Sequence, residues 1–121
     1  MAIKIGINGF GRMGRLTLRA AFGWQDIEFV QINDPAGNAE TLAHLLKYDS
    51  VHGTWSHDVT HDDNNVIIDG QAIRVTQNKA INDTDWSECD LVIEASGKMK
   101  KTELLQAYLD QGVKKVVKQH P

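Results

Sequence analysis

Three glycines, Gly9, Gly11 and Gly14, follow directly on the apolar run Ile3 to Ile7, and they constrain this 121-residue chain more than any other feature. The isoleucines at 3, 5 and 7 are β-branched and suit a buried strand. Gly9-Phe10-Gly11-Arg12-Met13-Gly14 then fits the G-x-G-x-x-G pattern of a strand, a tight turn and the first turn of a helix. Each glycine has its own steric task. The first permits the turn, the second lets a pyrophosphate approach the backbone, and the third lets helix and strand pack closely. A helix starting here aims unpaired N–H groups, and about half a unit of positive charge, at any anion over the turn. Arg12 and Arg15 add full charges nearby. Glycine is also ordinary punctuation, so a purely structural turn stays open until the rest of the chain is weighed.

A second apolar run, Ile27 to Ile32, ends in Asn33-Asp34. That places an acid about twenty residues past the last glycine, where a dinucleotide fold uses one to accept the two hydroxyls of the adenosine ribose. Asp34 would also repel a 2′-phosphate, because two unit charges 4 Å apart in a partly screened site are worth about 4 kcal/mol. NAD is therefore favoured over NADP. Pro35 keeps Asp34 extended at the strand tip. The alternative at this point is an Asn-Asp-Pro turn with no ligand.

The length suits one domain or part of a larger one. The apolar runs are strand-sized, too short for a transmembrane helix, and no charged-then-apolar leader opens the sequence, so a cytoplasmic location is expected. The one cysteine, Cys89, excludes an internal disulfide framework and fits a reducing compartment. Net charge is −3, but lysines 98, 100, 101, 114, 115 and 118 crowd the end. That end lacks the aromatic platform of single-strand binders, so neither nucleic acid nor membrane is an expected partner, and it reads as a solvated face or one side of an anion site.

Taken in order, Met13, Leu16, Leu18, Ala20, Ala21 and Phe22 predict a helix, with arginines 12, 15 and 19 on its polar side and Gly23 as its cap. A second helix is expected over Ala39 to Lys47, N-capped by Asn38, with His44 as a packing or surface residue. Leu46 to Gly53 reads as a polar loop. A meander follows: Val59 to His61, Asn65 to Ile68, a hairpin turn at Asp69-Gly70, and Ala72 to Gln77. His52, His57 and His61 with Asp62 and Asp63 match no standard zinc spacing, and no metal site is expected. Asp90 to Ala95 forms a further buried strand whose tip, Ser96-Gly97, falls where open α/β sheets place ligands; a helix-capping turn is the alternative. A helix over 101–111 stopped by Gly112, and a strand at Lys115 to Lys118, complete the chain.

Strands alternating with helices predict an α/β fold: a Rossmann-type, mainly parallel doubly wound sheet with a small antiparallel hairpin excursion. Five strands of a six-stranded dinucleotide fold are visible.

Several blocks along the whole chain, INGFGRMGR at 7–15, IND-Pro at 32–35, LKYDSVHG at 46–53, the IDG hairpin, Gln77 and IEASG at 93–97, resemble the N-terminal, NAD-binding part of the phosphorylating glyceraldehyde-3-phosphate dehydrogenase family. Gly23-Trp24 and the GKMK wording at 97–100 are also similar to a branch of that family associated with arsenate resistance. The resemblance implies cofactor contacts from Asn8, Gly9, Phe10, Gly11, Arg12 and Met13 at the pyrophosphate, Asn33, Asp34 and Pro35 at the ribose, and Gln77, Lys79, Ser96 and Gly97 beside the adenine and ribose.

Three departures stand out: Lys79 replaces a customary arginine, Met99 an aromatic, and Gln119-His120 a serine-alanine pair. The resemblance further implies oxidation of a phosphorylated aldehyde with inorganic phosphate, NAD as hydride acceptor, and a homo-oligomer. It places the acyl-forming cysteine, its histidine and the phosphate sites in a second domain. Residues 1–121 are thus expected to be the NAD-binding domain, cut before its last strand, with no catalytic residue of its own and no activity alone. Cys89 precedes the DLVIEA strand, at the end opposite the cofactor, and reads as structural. A stand-alone nucleotide- or partner-binding module is the competing reading. Truncation before the last strand would leave Val116 and Val117 on a sheet lacking its last neighbour, so association through that edge is expected.

Overall fold

Alternation along the first strand sets up two apolar layers. In the computed structural model, which describes residues 2–49, 53–79, 83–95 and 106–118, β1 (Ile3–Asn8) turns Ile5 and Ile7 to one side. There they join Leu18 and Ala21 of α1 (Arg12–Ala21) and Leu42, Ala43 and Leu46 of α2 (Ala39–Lys47). Gly6 faces the other way, where an added Cβ would lie 2.7 Å from both Cys89 Sγ and the Trp86 ring. On that face Trp86, Cys89, Val92, Tyr108 and Val113 form a second buried cluster. A sheet covered on both faces is what a parallel arrangement requires.

The remaining strands are β2 (Ile27–Asn33), β3 (Tyr48–Asp49), β4 (Gly53–Thr54), β5 (Val59–His61), β6 (Asn65–Ile68), β7 (Gln71–Thr76), β8 (Leu91–Glu94) and β9 (Lys115–Lys118). The main sheet runs β5-β6-β7-β2-β1-β8-β9. Its β7-β2-β1-β8-β9 part is parallel, while β5 and β6 join antiparallel at the β7 edge. This is the expected α/β, Rossmann-type sheet. The chain builds outward from β1 to β2 and β7, then places β8 on the other side of β1, so strand order reverses between β1 and β8. Ligands of open α/β sheets bind at such a switch point, beyond the carboxyl ends of the strands.

One irregularity governs what meets at that rim. β1 pairs with β2 as Ile5↔Phe29 and then as Gly6↔Gln31, so Val30 is an extra residue on β2. Since side chains alternate along a strand, a bulge of one residue reverses which face every later residue takes. Beyond it Ile32 joins Ile7 in the first cluster, and Asn33 stands in register with Asn8.

Local chemistry explains the element ends. Asn38 Oδ1 accepts the Thr41 N–H at 2.9 Å and caps α2 as expected. Asp69 and Gly70 both take positive φ (51° and 87°), the backbone of the predicted hairpin turn.

Several expectations need adjustment. β7 is the third parallel strand and also the second arm of the hairpin, so the excursion is continuous with the sheet. The 46–53 stretch contains part of a two-stranded ribbon, Tyr48↔Thr54 and Asp49↔Gly53, rather than loop alone. On α1 the buried residues are Gly14, Leu18 and Ala21, while Met13 and Ala20 face solvent. The last helix ends earlier than expected: residues 106–109 are helical, a turn follows to Gly112 (φ 91°), and 101–105 lie outside the described residues. Among the described residues no helix is long and apolar enough to cross a membrane.

Candidate functional site

The glycine turn lies over the switch point with its peptides held on several sides. Gly9 takes φ 94°, and its N–H continues the β1–β2 pairing by donating to Asn33 O at 2.8 Å. The Phe10 N–H donates to Asp34 Oδ2 at 2.7 Å, and the Phe10 carbonyl accepts Arg15 Nη1 at 3.2 Å. The Phe10 ring is buried in the core beneath. A Cβ on Gly14 would lie 2.4 Å from Gly9 O, so the third glycine is where helix and turn touch backbone to backbone.

Gly11 differs. Its φ of −74° suits any residue, and a Cβ there would meet nothing within 4 Å. It N-caps α1 with no side-chain hydrogen bond, and the first turn carries no acid. The start of this helix is therefore an exposed set of backbone donors with Arg12 beside it.

Asp34 is doubly engaged, since Oδ1 accepts the Ala36 N–H at 2.8 Å while Oδ2 holds Phe10. Its own N–H bonds Thr76 O at 3.0 Å, tying the tip of β2 to the tip of β7. Each carboxylate oxygen can accept more than one hydrogen bond, so the half-buried group is braced without being used up. Pro35 follows in the Asp34 turn.

Asn8 and Asn33 point into the protein. Asn33 Oδ1 accepts Thr76 Oγ1 (2.7 Å), the Asn78 N–H (2.9 Å) and Thr84 Oγ1 (3.3 Å). Its Nδ2 donates to Asn8 Oδ1 and Asn78 O, both at 2.9 Å. Asn8 Nδ2 in turn donates to Glu94 Oε2 at 2.8 Å and to the Tyr108 hydroxyl oxygen at 2.9 Å. The Tyr108 hydroxyl donates to Glu94 Oε2 at 2.5 Å. Burial, reinforced by the adjacent Glu94, pushes the Tyr108 hydroxyl far above its ordinary value, so it stays a donor. Glu94, Tyr108, Thr84 and Asn78 were not singled out by sequence reasoning. Glu94 had a signal, an acid inside the apolar strand DLVIEA, but the others had none.

Gln77 and Lys79 are exposed beyond β7, on either side of Asn78. Ser96 and Gly97 lie outside the described residues; the last described contact before them is the Ala95 N–H on Asn8 O at 2.8 Å. Cys89 is buried at the opposite end of β8, its thiol pushed up to about 12 chiefly by burial. It is an inert thiol.

His57 bonds Asp69 (Nδ1 to Oδ2, 2.5 Å) on the far flank, and His44 lies against Tyr48. A pocket of about 340 Å³ between α2 and β5 also lies on that flank. It includes Lys47, whose ammonium is already given to Trp55 O and His57 O, so it is separate from the rim.

Comparison with known proteins adds sequence kinship to this geometry. Residues 3–102 match the family described as glyceraldehyde 3-phosphate dehydrogenase, NAD binding domain. The chain is 46% identical over 119 residues to glyceraldehyde-3-phosphate dehydrogenase 3 of Nostoc, covering 97% of this chain and 35% of that protein. It is 45% identical to the glyceraldehyde-3-phosphate dehydrogenase of Geobacillus stearothermophilus, over the same shares of the two chains. With glyceraldehyde-3-phosphate dehydrogenase 1 of Saccharomyces cerevisiae it shares 42% identity over 117 residues, 95% of this chain and 35% of the yeast protein. The chain thus spans about a third of the length of these relatives.

Proposed function

Because the chain belongs to the glyceraldehyde-3-phosphate dehydrogenase family, through that family's NAD-binding domain, we propose that it holds NAD over the Gly9 to Gly14 turn for an aldehyde dehydrogenase whose reacting groups are carried elsewhere. Gly11 is the observation that carries the reading. Neither its φ nor any protein atom near its Cβ position asks for glycine, whereas a pyrophosphate lying against that backbone does. The free N–H groups at the start of α1 and the Arg12 guanidinium would neutralise its charge.

Asp34, fixed in orientation by Phe10 and Ala36, would accept the ribose hydroxyls with its remaining lone pairs and oppose a 2′-phosphate. Pro35 would hold that tip extended, and the backbones of Asn8, Gly9, Phe10, Met13 and Asn33 would form the floor. Gln77 and Lys79 would border the adenine, and the family resemblance assigns Ser96 and Gly97 to the adenine and ribose as well. Lysine at 79 offers a point charge where an arginine would stack and fork, so this edge should grip less.

When bound, NAD supplies a hydride acceptor. Among the described residues nothing near the rim supplies a nucleophile to use it, and Cys89 is buried at the wrong end of its strand. The proposed role of residues 1–121 is accordingly that of a cofactor domain. The activity served is oxidation of a phosphorylated aldehyde with inorganic phosphate, in a cytoplasmic homo-oligomer, and these 121 residues alone are expected to be inactive.

Calorimetric titration of the full chain with NAD and with NADP tests the binding. NAD should bind and NADP bind more weakly, and no heat at about 1 mM NAD would overturn the reading. Asp34→Asn keeps one acceptor oxygen and removes the charge, so the preference for NAD should narrow by at least about tenfold, with about a thousandfold as the upper bound set by a repulsion of about 4 kcal/mol. An unchanged preference removes Asp34 from its assigned role.

A further inference from the structure

The last rung of the parallel sheet is polar from strand to strand. Thr76 of β7, Asn33 of β2, Asn8 of β1 and Glu94 of β8 are paired directly in register. Their side chains bond in sequence across four strands, with Thr84 at one end and Tyr108 at the other. The row exists because the Val30 bulge sets Asn33 opposite Asn8. Asn8, Asn33 and Glu94 are each under a tenth exposed, and Tyr108 is fully buried. Taking so many polar groups out of water at the crowded end of a sheet is costly unless each is satisfied. An apolar rung would fill the same space more cheaply.

We propose that this rung is a positioning network for the dinucleotide, acting through the strand tips and not through side-chain contact with the cofactor. The inference rests on the cofactor reading above. At one end Asn33 grips both the N–H and the carbonyl of Asn78, between Gln77 and Lys79 on the adenine side. In the middle the Asn33 carbonyl receives the Gly9 N–H and the Asn8 carbonyl the Ala95 N–H, each at 2.8 Å, so the two amide side chains sit on the residues that tie the strand tips together. At the other end Glu94, held by Asn8 and Tyr108, fixes the tip of β8, where the Ala95 N–H donates to Asn8 O. The spacing between the two sides of the crevice is thereby set by one continuous row of hydrogen bonds. A change at either end is transmitted to the other.

Two conservative variants test it from opposite ends, Thr84→Val and Tyr108→Phe, each deleting one hydroxyl. Each should weaken NAD about three- to tenfold in calorimetry of the full chain, the effect of one buried hydrogen bond. The double variant should be weakened by no more than about the larger single effect, because both act on one network. Sites this well separated ordinarily combine multiplicatively. Before any ligand is added, Tyr108→Phe should also shift the amide NMR signal of Asn78, at the far end of the row. Glu94→Gln, which retains an acceptor for both donors, should restore most of the affinity lost in Glu94→Ala.

Multiplicative effects together with an unmoved Asn78 signal would overturn the network and leave two local structural contacts. If Thr84→Val folds too poorly for titration, the Asn78 signal in Tyr108→Phe decides; if Tyr108→Phe does, the Ala95 amide signal in Thr84→Val, at the opposite end of the row, decides. A wild-type chain that fails to bind NAD refutes the cofactor reading, whereas wild-type binding with unaffected variants refutes only the network.

Discussion

At the rim Asn33 is 3% exposed with both amide atoms committed, whereas on the flank beside α2 the half-buried Arg19 and Lys47 hold backbone carbonyls and His57 holds a side-chain carboxylate. Arg19 donates to Leu46 O, Lys47 O and Gly53 O at 2.9–3.0 Å, and Lys47 Nζ donates to Trp55 O and His57 O. His57 closes the flank onto Asp69. Cations at the carbonyl end of α2 suit its dipole and replace a glycine cap. The rim uses mainly neutral amides and hydroxyls in fixed geometry, and the flank uses long charged side chains that tolerate movement. Precision is concentrated where a ligand must be met, and adaptable fastening where loops only need to be kept down.

The contrast can be broken most sharply at Gly14. Gly14→Ala puts a methyl 2.4 Å from a backbone oxygen that cannot yield without moving the turn, so about 3 kcal/mol of stability should be lost. NAD binding should vanish with it. Urea unfolding gives the first quantity, and an unchanged midpoint would mean that α1 slides freely over β1.

A smaller loss is expected on the flank. Arg19→Met keeps much of the apolar stem but drops three charge-assisted bonds at a partly exposed site, costing about 1 to 2 kcal/mol. NAD affinity should hold steady in the folded fraction. A parallel fall in affinity would join the two regions that the hydrogen bonding keeps apart.

The smallest effect concerns pH. Hydrogen bonds from His57 first, then from the Asp58 N–H, hold the Asp69 carboxyl below its ordinary 3.8. A carboxyl whose folded value is depressed contributes stability that is present above the unfolded value and is lost as pH falls through the folded one. A modest loss should thus begin near pH 4 and grow below it. Asp69→Asn should flatten that limb in melts taken across the acid range, and an identical acid profile in the variant would remove the pair from the account.

Much of the frame was legible because it is locally encoded. Asn38 caps α2 through its own side chain, and Asp69-Gly70 turns the hairpin because both adopt positive φ. β5, β6 and β9 fall on the runs expected for them. The glycines were legible in kind, although their separate tasks became measurable only with neighbours in place: a touching oxygen at Gly14, open space at Gly11. Sequence reasoning missed the double pairing of β7, since a strand's partners are set by the sheet and not by its own pattern. It also assigned Asn8 and Asn33 by resemblance alone, with no means of seeing which way their amides point.

The sequence by itself determined a strand, a glycine turn and a helix start with an acid at the second strand tip, because these depend on residues close along the chain and on steric rules for glycine and proline. Tertiary structure alone decided that Val30 is an extra residue and that Asn33 therefore meets Asn8 and, through it, Glu94. Register between strands is a cooperative choice of the whole sheet, and a one-residue bulge changes every side chain beyond it.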